Sequence, residues 1–491
     1  MKKRSKSVAE LMKIIEETES GQNHGGHIAD ALIAKLPLPN VHYDVGTQDY
    51  FIPKESAEGW VRVSRLAAQN YLVSIGFNPG KKKTELQSEV EVTLLGIVRE
   101  HYVEYAGQLA GFAVGRYVMN GNRILVTASP TFVEPKPGDF PLLKKVLENL
   151  IGSRQLPYLY GWLKVALEMY RSVKWQPGQA LALCGPKNAG KSLFSDLVKV
   201  LFGGRVSMPY PYMVGRTQFN NDLISAELLL IDDAAESTDI RSRRHFGAEI
   251  KKVTVTQDQR CERKFADAIT LRPLRRFLIL LNDDLERMQV LPPLDDDIDD
   301  KIILMKVTAA PMPMPTETPE EYAAFWRALL AELPMFMHFL QQWQIEPQLK
   351  SQRFGVREYH DYSLAAALKE FSPETQLLTM IDEQIFNGIE RSWNGLAREL
   401  ERLLKQPDRT SCLEARKLLA YGNSCGIYLA RLERQDSERV SSRTTNGTKY
   451  WTIRHQAWGD MPAENDPDYQ SALTQERRLK KVGTNTRRSR R

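Results

Sequence analysis

The chain has little cysteine: Cys184, Cys261, Cys412 and Cys425 are the only four in 491 residues, and no two form a C-x-x-C pair. That scatter argues against a zinc ribbon and against a disulfide framework, and leaves reduced thiols as the expectation. Long apolar runs are also lacking, and a membrane span needs about 18 or more such residues. The opening "MKKRSKSVAELMKIIEETES" carries basic residues with no apolar segment behind them of the kind a signal peptide needs. A cytoplasmic protein with no membrane partner is therefore expected. No fixed-period repeat occurs, which argues against a solenoid or a propeller. Residues 1–135 also lack an Asp-x-Asp pair with a supporting His, since Asp44 and Asp49 of "HYDVGTQDYF" have the wrong spacing for that metal-binding set.

What the chain does have is length enough for two to four folded units. Its net charge of +6 is unevenly spread, because residues 474–491 carry eight Lys or Arg against one Glu. Such a basic tail reads either as a disordered polyanion-binding segment or as a solvated solubility tail. Residues 1–135 mix strand-like runs with a charged helix and have an Asn120-Gly121 turn signal. "VEPKPGDFP", with three prolines in nine residues, marks a linker. Residues 141–175 read as helices, 176–310 as an α/β unit that closes at "TAAPMPMPTETP", and 316–350 as a helical lid. Residues 370–455 run helix, helix, then two strand-like arms around Asn446-Gly447, the order a winged helix needs. In that stretch "SWNGLARELERLL" and "CLEARKLLAYGNSCGIYLARLE" read as helices.

The chemistry concentrates in the α/β unit. "LALCGPKNAGKSLF" contains G-x-x-x-x-G-K-S from Gly185 to Ser192, between the apolar strand "QALALC" and the helical "KSLFSDLVKVLFGG". In this pattern the backbone of Gly185, Pro186, Lys187, Asn188, Ala189 and Gly190 curls around phosphates at the positive end of the helix. Lys191 then reaches the β- and γ-phosphates, and Ser192 a Mg2+ ion. "AELLLIDDAAES" supplies an apolar strand ending in Asp232, expected in the metal shell, and Asp233, expected to polarise the attacking water. A further strand, "RRFLILLNDD", ends in Asn282, which either senses the γ-phosphate or forms a turn. Between them, "GAEIKKVTVTQDQRCERKFADAITLRP" begins with β-branched alternation and places Arg260, Arg263 and Lys264 near a turn. Those cations either hold a nucleic-acid backbone or form a solvated face.

In this order the elements resemble the superfamily III helicases of the AAA+ class, found in small DNA viruses, in poxvirus-type primase-helicases and in replication proteins of phages, plasmids and satellites. The resemblance rests on Gly185–Ser192, Leu228–Asp233, the basic stretch Lys251–Lys264 and the strand Phe277–Asn282, with Lys191 and Asn282 only 91 residues apart. It covers about residues 140–345. It implies an α/β fold: an AAA+ P-loop core with a parallel central sheet, flanked by an α+β N-terminal domain, a helical collar and a C-terminal winged-helix-like domain. It further implies ATP and Mg2+ as cofactors, and a homo-hexamer moving on single-stranded DNA with a replication polymerase as partner. Relatives carry an Arg-rich segment that supplies a trans-acting finger; here the matching position is Lys301, and Arg287 of "NDDLERM" is the alternative. Two other functions suit the same residues: an origin-binding initiator that hydrolyses ATP without processive unwinding, and an anti-phage defence NTPase.

Overall fold

A computed structural model describes residues 38–81, 86–232, 240–264, 266–288, 290–294, 297–370, 372–386 and 391–457, with a few residues between 466 and 474. At its centre lies a five-stranded sheet in the order Ile302–Lys306, Ala180–Cys184, Arg276–Leu281, Leu228–Asp232, Val206–Ser207. Every pairing in it is parallel. Parallel sheets are covered on both faces, so their strands read as near-continuous apolar runs. "ALALC" and "RFLILL" are accordingly buried at every position.

Helices Pro141–Ile151, Leu156–Ser172, Lys191–Leu201 and Pro319–Gln342 supply side chains to the same core as this sheet. The lid helix Pro319–Gln342 starts at a capping box in which Thr318 and Glu321 satisfy each other's backbone N–H groups. Its Glu332 carboxylate accepts from the amides of Leu142 and Leu143, which caps the first of the four helices. Lys164, buried in the second, donates to the carbonyls of Leu340 and Gln341 at the lid's last turn. The helix Pro319–Gln342 is thus joined to the helices Pro141–Ile151 and Leu156–Ser172 through orphan backbone groups at helix ends.

Ahead of these, strands Trp60–Val63, Asp49–Pro53, His42–Asp44 and Tyr102–Val103 form a four-stranded sheet under helices Arg65–Ser74 and Glu89–Glu100. A small sheet of Tyr105–Gly107, Asn122–Val126 and Gly115–Met119 follows. Its hairpin turns at Asn120-Gly121, both at positive φ, as the dipeptide predicts. Tyr105, Leu109, Phe112, Ile124 and Val126 share the core of the central sheet and its helices. The boundary expected near residue 135 therefore falls inside one hydrophobic core.

The chain divides into two compact units, Met1–Val290 with Asp296–Asp361, and Leu291–Asp295 with Tyr362–Arg491. In the second, helices Tyr362–Glu370, Pro373–Gln384, Ala397–Leu404, Cys412–Leu418 and Ser424–Gln435 accompany a three-stranded sheet ordered Ser392–Gly395, Thr448–Arg454, Val440–Thr445. The hairpin turns at Asn446-Gly447, both at positive φ. "SWNG", expected to be helical, is instead a strand paired with "WTIR", and the helix starts only at Ala397, where Glu399 caps the Leu396 amide. "CLEARKLLAYGNSCGIYLARLE" is two helices rather than one, interrupted around Tyr421-Gly422. The basic tail 475–491 lies outside the described residues. No helix among the described residues is long and apolar enough to cross a membrane.

Candidate phosphate site and basic hairpin

The carboxyl ends of three adjacent strands, those of Cys184, Leu281 and Asp232, form the site. Ligands of open α/β sheets bind at this edge. The loop Gly185–Gly190 crosses it and leads into the helix Lys191–Leu201. Gly185 fits only as glycine, because a Cβ there would lie 2.3 Å from the Val307 carbonyl oxygen. Asn188 and Gly190 take positive φ (59° and 94°), and so turn the loop back toward the helix. Ala189 is buried beneath the loop, while Lys187 and Asn188 are exposed.

Lys191 lies at the centre. Its Nζ donates to the carbonyls of Gly185 (2.6 Å) and Pro186 (2.7 Å), and to Asn282 Oδ1 at 3.1 Å. Two residues 91 positions apart thus meet over the Gly185–Gly190 loop, and Asn282 is only 8 % exposed. Ser192 is exposed in the first helical turn, and Asp232 is exposed at its strand end. A hydroxyl and a carboxylate are the hard oxygen donors Mg2+ takes, usually together with substrate phosphate and water, so the donor set fits that ion. Asp233 lies outside the described residues. Beneath the loop, burial pushes the Cys184 thiol up to about 12, which makes it inert.

The basic stretch departs from its expected form. Its β-branched "VTV" is not a strand but the last turn of the helix Ile240–Val255, where Thr254 Oγ1 donates to the Ile250 carbonyl at 2.8 Å. Threonine can satisfy its hydroxyl in this way inside a helix. A hairpin does follow, Gln259–Cys261 paired antiparallel with Ile269–Leu271. Arg260, with its side chain 73 % exposed, and Lys264 lie on the surface. Arg263 does not: its side chain is 8 % exposed and bonded to the fully buried carboxylate of Asp44 at 2.7 Å. A guanidinium committed to a buried carboxylate is not presented to a nucleic-acid backbone.

Lys301 is likewise turned inward. It ends the short 3-10 turn Asp299–Lys301, is 8 % exposed and bonds to Asp300, so it does not project as a finger. Arg287, in the short helix Leu285–Met288 just past Asn282, is part-exposed.

The structure also brings in residues that sequence reasoning missed. Asn220 donates through Nδ2 to the Arg260 carbonyl (2.8 Å), and its Oδ1 accepts from the Glu262 amide (2.7 Å). Its neighbour Phe219 is 51 % exposed, and Arg216 is exposed in the same loop. The available signal was an aromatic flanked by polar residues in "GRTQFNN", between the phosphate loop and the Asp232 strand.

Residues 183–299 match the model of a family of unknown function, DUF5906. No curated protein matches. Among solved structures, the chain is similar to the apo C-terminal region (residues 305–718) of NrS-1, at 15 % identity and a TM-score of 0.50, covering 84 % of this chain and 95 % of that one. An A-form apo structure of the same NrS-1 region gives 14 % identity and a TM-score of 0.49, covering 84 % and 96 %. A structure described as the active helicase Cch of SCCmec type IV gives 11 % identity and a TM-score of 0.29, covering 80 % and 69 %. The likeness to the NrS-1 region is one of fold.

Proposed function

We propose that the chain is an ATP-dependent DNA helicase of the superfamily III, AAA+ type, a ring-forming translocase that works in the replication of a phage, plasmid or satellite element. The observation that carries this reading is the bond between Lys191 Nζ and Asn282 Oδ1 at the ends of parallel strands. The Asn282 strand lies between the phosphate-loop strand and the Asp232 strand, an order that supports an AAA+ core. In this reading Lys191 exchanges its loop carbonyls for phosphate oxygens, and Asn282 is released to face the γ-phosphate or the attacking water. Ser192 and Asp232 would hold a Mg2+ ion, which would supply neutralisation of the charge on the phosphates. Asp233 polarises the attacking water, and Arg287 of a neighbouring subunit supplies the trans-acting charge in place of Lys301. Arg260 and Lys264 hold the backbone of the DNA strand, and Phe219, next in sequence to the Asn220 that holds the hairpin stem, offers a platform for a base.

The test is Lys191→Ala in the full chain. ATP turnover is expected to fall by at least about 100-fold, as for loss of a charge-stabilising donor, with unwinding of a forked duplex lost and single-stranded DNA binding retained. Turnover at the wild-type rate would sink the assignment. Wild-type protein that hydrolyses ATP yet displaces no strand would point instead to an initiator.

A further inference from the structure

The hairpin at 259–271 is fixed to the N-terminal region as well as to the core that carries it. Its stem is held by Asn220, as described. From its connecting loop, Arg263 enters the N-terminal sheet: Nη1 donates to Asp44 Oδ2 at 2.7 Å and Nη2 to the Glu104 carbonyl at 2.9 Å. The guanidinium carbon lies 5.3 Å from the centre of the Tyr105 ring. Asp44 is saturated with donors, its Oδ1 accepting from the amides of Gly46 (2.8 Å) and Thr47 (3.2 Å) and its Oδ2 from Ala106 (3.0 Å). Gly46 leaves the passage open, since a Cβ there would lie 2.4 Å from Arg263 Nη2. Asn120, at the tip of another N-terminal hairpin, donates to Asp258 just ahead of the stem at 3.4 Å. To swing alone, the hairpin would have to separate two buried charges and strand the donors that share them.

We infer that the hairpin and the N-terminal region move as one body, with Asp44 as the positioning residue that sets where Arg260 and Lys264 are presented. This rests on the reading of the hairpin as a DNA contact. Any power stroke of the core then carries the N-terminal region with it.

A cross-link in the full chain tests this directly. Asn120 and Asp258 meet at 3.4 Å across the two elements, apart from the Arg263–Asp44 pair, so cysteines there leave that pair in place. The four native cysteines are buried and do not compete. In the Asn120→Cys/Asp258→Cys protein, a short reducible bismaleimide is expected to close the bridge at the same rate without nucleotide, with Mg-ADP, with a Mg-ATP analogue, and with an oligothymidine strand added. The cross-linked protein is expected to unwind a forked duplex as the free one does. Cross-linking suppressed by nucleotide or DNA, or unwinding lost on cross-linking and restored by reductant, overturns the inference. The bridge forms whether or not the protein unwinds, so failure of the helicase reading leaves this result intact. If the double variant does not fold, hydrogen exchange at the Thr47 and Ala106 amides of the wild type decides: protection unchanged by the ATP analogue supports one body, and its loss overturns it. For positioning, Arg263→Lys is expected to keep more DNA stimulation of turnover than Arg263→Met, with equal DNA-free turnover. A parallel fall in both activities would mark a merely structural role.

Discussion

At the scale of single residues, Asn282 gives the sharpest expectation. Its carboxamide oxygen accepts from Lys191, and its position at a strand end leaves it one bond away from whatever the lysine holds. An alanine there removes the partner and leaves the fold's apolar strand untouched. We expect Asn282→Ala to lower kcat by on the order of 10², the usual effect of removing one group that stabilises developing charge. The nucleotide Kd should change little, because in the proposed reading the loop backbone and Lys191 supply the phosphate contacts. Steady-state kinetics and equilibrium binding measured together check this, and a large Kd change with kcat preserved would show that Asn282 binds rather than senses.

At the scale of elements, the segment Leu109–Gly111 is laced to the central sheet. Glu227, fully buried ahead of the Asp232 strand, accepts from the Gly111 amide at 2.6 Å and from Arg205 Nε at 2.8 Å. Arg205 in turn donates to the Leu109 carbonyl at 3.2 Å, and the Ala110 amide and carbonyl bond to Ile224 and Leu274. Breaking a buried pair leaves one charge uncompensated, so Glu227→Ala should cost about 3–5 kcal/mol. Urea unfolding of the variant reads this, and a loss under about 1 kcal/mol, the value of a surface pair, would show that the pair is not a structural tie.

At the scale of the whole molecule, the inward turn of Lys301 moves the search for a trans-acting cation to Arg287, and the proposed reaction needs a neighbour to provide it. Mixing Lys191→Ala subunits with wild type is therefore expected to reduce turnover faster than the wild-type fraction falls. A strictly proportional decline would indicate subunits that hydrolyse independently.

Much of the local structure around the candidate site was legible in the residues because it depends on local spacing. Gly185 to Ser192 dictates a loop and a helix start, "LLLID" and "LILLN" dictate buried parallel strands, and Asn-Gly at 120 and 446 dictates hairpin turns. Two things depended on partners far along the chain. "SWNG" became a strand because "WTIR", some 60 positions on, offered it an edge. Arg263 turned from an expected DNA contact into a buried tie because Asp44, 219 positions earlier, lay where its guanidinium could be fully paired. By itself the sequence determined where the glycine loop turns into its helix and which segments must be buried, since those follow from backbone geometry and apolar pattern. Only the tertiary structure decided which cations remain on the surface, because a charge goes where its partner is, and no local pattern reveals a partner two hundred residues away.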